Sequence, residues 1–208
     1  SACGNGTRCV AGLILEETSK DKIKIETKAG ILEAWKDTKS GFISVNMGKP
    51  NFQWSEIPLL KNIDHKKVFL GDNAPGDAFC LSMGNPHAVF FVRSLAEIDV
   101  DVLGPIFENH SIFPEKANIS FAQVLSKSKI KMKVWERGVG ITKACGSGAC
   151  AVAVAAKQLS KIGSFCEISL DGGKLNVHLP DNDNIYLTGP IEISFRGELS
   201  QRLSNLIK

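Results

Sequence analysis

The chain predicts an α+β fold of two pseudo-symmetric lobes, each a curved, mostly antiparallel sheet or open barrel around one central helix. Three observations carry that expectation. A cysteine-glycine turn occurs twice, as Ala2-Cys3-Gly4-Asn5-Gly6 and as Ala144-Cys145-Gly146-Ser147-Gly148, 142 residues apart. Each turn runs directly into an apolar, helix-compatible stretch, residues 9–15 in one case and 149–156 in the other. Each stretch is then followed by the same train of strand-like segments at almost the same spacing.

The elements repeat in order. Cys3 to Gly30 is 27 residues, and Cys145 to Gly172 is also 27. Both glycines separate runs of alternating apolar and polar residues, 22–25 from 31–35 and 166–170 from 175–179. Period-two alternation about a glycine predicts a hairpin. A third strand follows each hairpin and ends in a related turn, Asn46-Met47-Gly48 or Thr188-Gly189-Pro190. Between the two copies lie strand candidates at 68–70, 78–81, 88–92, 119–124 and 130–135, and a short helix candidate at 102–109. Lys127, Lys129, Lys131 and Lys133 alternate along one of these strands and mark its solvent face. Trp35, Trp54 and Trp135 are expected to pack.

The second lobe is expected over residues 47–190. The first is expected over 1–46, completed by a returning strand at 191–198 and a terminal helix at 199–208. Only Ser1 and Ala2 precede Cys3, so the first lobe is expected to be incomplete, without the leading strands that the second lobe carries. Its helix would then leave Leu13, Ile14 and Leu15 partly exposed, and the chain by itself is expected to be inactive.

The bulk composition narrows the class. Hydrophobic residues make up 43% and charged residues 23% of 208, an ordinary globular balance with enough apolar material for a core. The net charge of +3 is spread along the chain without a dense basic block, which argues against nucleic acid as a partner. No apolar run approaches the ~18 residues of a membrane span, and no secretory signal is visible, so the expected location is cytoplasmic. Six cysteines without C-x-x-C spacing fit free thiols in a reducing compartment, and no metal is expected.

A cysteine beside glycines at a helix N-terminus meets unpaired N–H groups and the positive end of the macrodipole, which favour a thiolate. The same turn can hold a carboxylate. Two such turns suggest two thiols acting on one atom from opposite sides. Cys9, Cys80, Cys150 and Cys166 are read as small core residues. His65, His110 and His178 are read as structural.

The order of motifs resembles the diaminopimelate epimerase family. Ala2-Cys3-Gly4-Asn5-Gly6-Thr7-Arg8-Cys9 resembles its first catalytic turn. Gly84-Asn85-Pro86-His87 and Asn118-Ile119-Ser120-Phe121 resemble its substrate-binding segments. Glu136-Arg137-Gly138-Val139-Gly140, Thr142 and Ala144-Cys145-Gly146-Ser147-Gly148-Ala149 resemble its second catalytic turn, with Ser147 where threonine is common.

The resemblance implies an isomerase that interconverts LL- and meso-2,6-diaminopimelate, a step toward lysine and peptidoglycan precursors, without pyridoxal phosphate, metal or any other cofactor. It implies Cys3 and Cys145 as the two acid–base thiols, with N–H groups at Gly4, Asn5, Gly146 and Ser147 holding the reacting carboxylate. His87 is then a residue that tunes or positions a thiol. Glu136 takes an ammonium group and shifts a neighbouring thiol, while Arg137 offers a bidentate fork to a carboxylate. Asn85 and Asn118 read the distal end of the substrate. A homodimer is compatible with the resemblance. Three other readings stay open: a proline-racemase-like enzyme, a cysteine hydrolase or transferase using Cys145 with His87, and a non-catalytic binding module.

Overall fold

The computed structural model describes residues 4–27 and 30–198. In chain order, helix α1 (Gly4–Thr18) leads into strands β1 (Lys22–Thr27), β2 (Gly30–Lys36) and β3 (Ile43–Asn46). After a long connection come β4 (Phe79–Ser82), β5 (Pro86–Phe91), a 3-10 turn (Leu95–Glu97) and helix α2 (Val100–Glu108). Then follow β6 (Asn118–Ser126), β7 (Lys129–Glu136), β8 (Gly140–Thr142), helix α3 (Gly146–Gln158), β9 (Phe165–Leu170), β10 (Gly173–His178) and β11 (Tyr186–Gly189). The α+β class and the repeated order of one helix and three strands are both present.

The eleven strands form one hydrogen-bonded sheet, ordered β1-β2-β3-β11-β10-β9-β7-β6-β5-β4, with β8 attached to β7. Pairing is antiparallel except for β5 with β6 and β7 with β9. The two repeats meet through equivalent strands: β3 and β11 pair antiparallel, Ser44 opposite Thr188 and Val45 opposite Leu187. The Ser44 and Thr188 hydroxyls share a 2.7 Å hydrogen bond across that seam. Antiparallel pairing of equivalent strands relates the two copies by a local two-fold rotation, so features at one helix N-terminus are brought toward those at the other.

Burial follows the alternation in the sequence. On β7, Ile130, Met132 and Val134 are buried against α3, while Lys129 and Lys131 are exposed. Strands β5 and β6 are covered on both faces. Val89 and Ala122 face α3, whereas Phe90, Ile119 and Phe121 pack with Phe107 of α2. That explains why these segments read as nearly continuous apolar runs. Helix α3 is buried from Gly146 through Ala156, and small residues let sheet side chains close on it from every direction. Helix α1 packs through Ala11 and Leu15 on β1–β3, while Ile14 is half-buried and Leu13 is exposed among the described residues.

Several expectations are corrected. Residues 191–198 form no strand. Ile191 packs on α1, where a Cβ on Gly12 would lie only 1.9 Å from its Cδ1, so a glycine notch receives the returning chain. The strand expected at 68–70 is a single bridge between Val68 and Ala78. Cys9 is exposed, unlike buried Cys80, Cys150 and Cys166. Trp54 lies at the surface, while Trp35 packs edge-on to Tyr186 with centroids 5.4 Å apart. The helix expected at 199–208 lies outside the described residues.

Helix α2 owes its place to a glycine. A Cβ on Gly104 would stand 2.6 Å from Cγ and 2.8 Å from Cβ of Trp135, and the latter atom is fixed to the β7 backbone. Gly104→Ala gains about 1 kcal/mol of helix propensity but incurs overpacking of roughly 1–3 kcal/mol. It is expected to lower the melting temperature, whereas Gly163→Ala, with open space around it, is expected to leave it unchanged or raise it slightly. Thermal melts of both variants against the parent check this; a Gly104→Ala protein as stable as the parent contradicts the packing account.

Candidate functional site

Cys145 is the N-cap of α3. Its backbone is extended, with φ −137 and ψ 109, and its Sγ accepts the N–H of Gly148 at 3.3 Å. The Ala149 N–H, bonded to the Cys145 carbonyl at 3.0 Å, closes the first helical turn. A thiol that caps its own helix sits at the positive end of the macrodipole, with the first-turn N–H groups pointing outward beside it.

The N-terminus of α1 arrives at the same place. A Cβ on Gly146 would lie 3.3 Å from Cα of Gly4, 3.5 Å from Oδ1 of Asn5 and 3.1 Å from Cδ2 of Leu187. A Cβ on Gly4 would likewise meet Leu187 at 3.0 Å and Cε of Met47 at 3.3 Å. The two helix ends therefore abut glycine to glycine, walled by a leucine from the strand that joins the repeats. Ser1, Ala2 and Cys3, immediately before α1, lie outside the described residues. Among the described residues no helix is long and apolar enough to cross a membrane, and no cluster of three or more metal-binding side chains occurs.

A chain of polar groups runs from the thiol into the interior. The Ser147 hydroxyl lies 3.7 Å from Cys145 Sγ, Asn85 donates from Nδ2 to Ser147 Oγ at 3.4 Å, and His87 Nε2 lies 3.1 Å from Asn85 Oδ1. An amide oxygen only accepts, so Nε2 carries the proton. His87 is fully buried, and burial first, then the Arg137 guanidinium, pulls its pKa down to about 3. The ring is neutral, and its Nδ1 lone pair is buried without a partner among the described residues. Asn85 and Ser147 stand between His87 and Cys145, so the two do not form the direct dyad that a cysteine hydrolase uses.

Glu136 and Arg137 sit at the end of β7 and enter the turn to β8. Thr142 donates its hydroxyl to Glu136 Oε1 across that hairpin. Asn118, on β6, accepts the Arg137 N–H at 3.1 Å and donates to the Pro86 carbonyl at 2.8 Å. It thereby ties together the ends of β5, β6 and β7, with one further donor and one further acceptor position left on its amide. The Arg137 Nη1 donates to the Glu115 carbonyl at 2.9 Å. Sequence reasoning thus selected residues that the fold gathers around the two helix ends, apart from Cys3, which lies outside the described residues.

One electrostatic expectation is overturned. The Cys145 thiol is not depressed. Burial first, and the Glu136 carboxylate second, push it up to about 11, against the opposing pull of the Gly148 N–H and the Ser147 hydroxyl. At rest it is a thiol, suited to give a proton rather than take one. The sequence reading also assigned no role to Arg8, a buried cation that donates to Asn5 Oδ1 at 3.1 Å. Its i, i+3 relation to Asn5 on a helix was the available signal.

A cleft of about 440 Å³ lies at the other end of α3 between Phe52, Lys157, Leu179 and Asp181, away from the thiol. A small cavity of about 110 Å³ touches Asn5, Arg8 and Ala144. Convergent polar groups and a buried titrating thiol identify the site better than volume does.

The diaminopimelate epimerase family model matches residues 79–194. The chain is 44% identical over 202 residues to a diaminopimelate epimerase of Rhodospirillum centenum, covering 97% of this chain and 69% of the relative. It is 43% identical over 209 residues to the one from Rhodopseudomonas palustris, covering 97% and 71%. In fold it is similar to a hydroxyproline epimerase from Agrobacterium vitis, with a TM-score of 0.63 and 15% identity over 91% of this chain and 65% of that one.

With a pKa raised to about 11, only about one Cys145 thiol in a thousand is ionised at pH 8. Its alkylation by iodoacetamide, followed by peptide mapping, is expected to be slow at neutral pH and to rise about tenfold per pH unit toward pH 11. Glu136→Gln removes a repelling charge and is expected to move the midpoint down. A midpoint below 8 in the parent, or an upward move in the variant, contradicts this electrostatic account.

Proposed function

The chain belongs to the diaminopimelate epimerase family, and we propose that it inverts one α-carbon of 2,6-diaminopimelate, interconverting the LL and meso forms. The observation that supports this reading most is the meeting of two helix N-termini at Gly4 and Gly146, one of them capped by a buried protonated thiol. An α-carboxylate placed there takes N–H groups from Gly4, Asn5, Gly146 and Ser147, where negative charge builds as the α-proton leaves.

Cys3 as thiolate removes the α-proton from one face, and Cys145 as thiol delivers its own proton to the opposite face. The products are the inverted carbon, a Cys3 thiol and a Cys145 thiolate, and the reverse direction starts from that state. The high affinity of Cys145 for its proton fits the donor role in the unliganded protein. No proton is gained or lost overall, so the chemistry closes on the two sulfurs without a cofactor or metal.

The surrounding residues divide the substrate. Glu136 faces the ammonium group beside the reacting carbon, and on losing its repulsion for a thiolate to that cation it eases ionisation of Cys145. Arg137, Asn85 and Asn118 hold the distal amino-carboxylate end. His87, neutral and with Nδ1 unshared among the described residues, is the residue that tunes or positions a thiol of the site. Such thiols persist in a reducing cytoplasm, which is where we place the enzyme.

The test is α-proton exchange in the complete protein. Deuterium washing from solvent into diaminopimelate is expected to fall by about 10²–10⁴-fold in Cys3→Ala and in Cys145→Ala. Cys→Ser variants are expected to retain partial chemistry, such as elimination from a halogenated analogue. Near-normal exchange in either alanine variant refutes the two-thiol mechanism, and exchange of proline but not diaminopimelate would move the assignment to a single-amino-acid racemase.

A further inference from the structure

The dipeptide proposed to touch substrate, Glu136-Arg137, lies at the tip of the β7–β8 hairpin, and hairpin tips are mobile unless something ties them. Glu108, the last residue of α2, does the tying. Its side chain is buried, 5% exposed, although it is a carboxylate. Its Oε2 accepts the Trp135 indole N–H at 2.6 Å, and its Oε1 accepts the Gly138 backbone N–H at 2.8 Å. Trp135 immediately precedes the dipeptide and Gly138 immediately follows it. One carboxylate therefore grips the chain on both sides of Glu136-Arg137.

The grip is braced from behind. Trp135 packs through Cβ, Cγ and Cδ2 against the Gly104 notch on α2, and Lys116 Nζ stands 4.0 Å from Glu108 Oε1. The Glu115 carbonyl, next in sequence to Lys116, accepts from Arg137 itself. The turn needs such a clamp, because Gly138 and Gly140 both take positive φ values, 74 and 104, that glycine gives no side chain to hold.

We infer that Glu108 is a positioning residue of this enzyme, fixing the hairpin tip so that Glu136 stays beside Cys145 and Arg137 stays aimed at the distal substrate carboxylate. The inference rests on the proposed function for Arg137 and for the substrate, but its effect on Cys145 can be read without any substrate. Both Glu108 oxygens are acceptors for N–H groups. Glu108→Gln keeps the shape but turns an amide N–H₂ toward one of the two donors, so one hydrogen bond is replaced by a repulsion.

The experiment compares the parent with Glu108→Gln and Trp135→Phe in the complete protein. Circular dichroism and thermal melting establish that each variant folds. Site-resolved alkylation of Cys145 is followed against pH without substrate, and kcat and KM are measured with diaminopimelate. In Glu108→Gln the Cys145 midpoint is expected to shift downward as Glu136 leaves, and KM is expected to rise about tenfold or more. Trp135→Phe, which removes one donor and leaves the other bond, is expected to move both in the same direction by less.

An unchanged Cys145 midpoint and a KM within twofold of the parent in folded Glu108→Gln overturn the inference; if that variant does not fold, the same result in Trp135→Phe overturns it. A shifted midpoint in a protein that never turns over diaminopimelate supports the clamp and refutes the substrate assignment instead.

Discussion

Two helix N-termini touch through glycines with no side chain between them, and most of the molecule is arranged to hold them there. Each end carries roughly half a positive charge, so their approach is repulsive and has to be imposed by the rest of the fold. The seam between β3 and β11 imposes it. Because equivalent strands pair antiparallel, the helices that precede their hairpins converge, and Leu187 on the seam sets how near they come. A Cβ at position 146 would press on Gly4 and Leu187, and one at position 4 would press on Leu187 and Met47. An anion in the gap relieves the repulsion, which is why such a point suits a carboxylate gaining charge.

Cys145 shows how the balance of forces at one atom sets its role. Two influences favour its anion, the capping N–H of Gly148 and the Ser147 hydroxyl, and two oppose it, burial and Glu136. The opposing pair wins. In low dielectric an unpaired charge costs more than one or two hydrogen bonds return. A substrate ammonium beside Glu136 changes that sum, so the thiol is poised to yield its proton when the site is filled. His87 is governed by the same rule in the opposite sense, kept neutral by burial and by Arg137.

The sequence made the fold legible where a local pattern repeated. The period-two runs about Gly30 and Gly172, and the near-equal spacings from each cysteine to its turn glycine, located the strands of both copies. The structure adds their pairing across the seam, which no local pattern encodes. Residues 191–198 read as a strand because Ile191 and Ile193 alternate with polar neighbours, yet Gly12 offers a notch that takes Ile191 as a packed side chain instead.

Cys9 read as core because its neighbours are apolar, but on α1 it is exposed among the described residues. The helix-end turns were legible through their repetition, whereas Asn85, His87, Asn118, Glu136 and Arg137 were singled out only through the resemblance of their motifs to a known family. Glu108 was not, because nothing near position 108 signals that Trp135 and Gly138 will present two N–H groups to it. The direction of the Cys145 shift was also hidden: the helix N-terminus is visible in sequence, and the depth of burial is not.

The proposed chemistry depends on the closeness of the two helix ends, and a graded wedge at Gly146 measures that directly. The parent, Gly146→Ala and Gly146→Val would be compared in diaminopimelate turnover and in thermal stability. A Cβ at 3.1–3.3 Å from Leu187 and Gly4 needs only a few tenths of an ångström of relief, and the added methyls of valine need more. Because small misplacements at a reacting centre are costly, kcat/KM is expected to fall by about tenfold in the alanine variant and about a hundredfold or more in the valine variant, with both proteins folded. A folded Gly146→Val protein that turns over substrate within twofold of the parent would show that the convergence of the helix ends does not drive the chemistry.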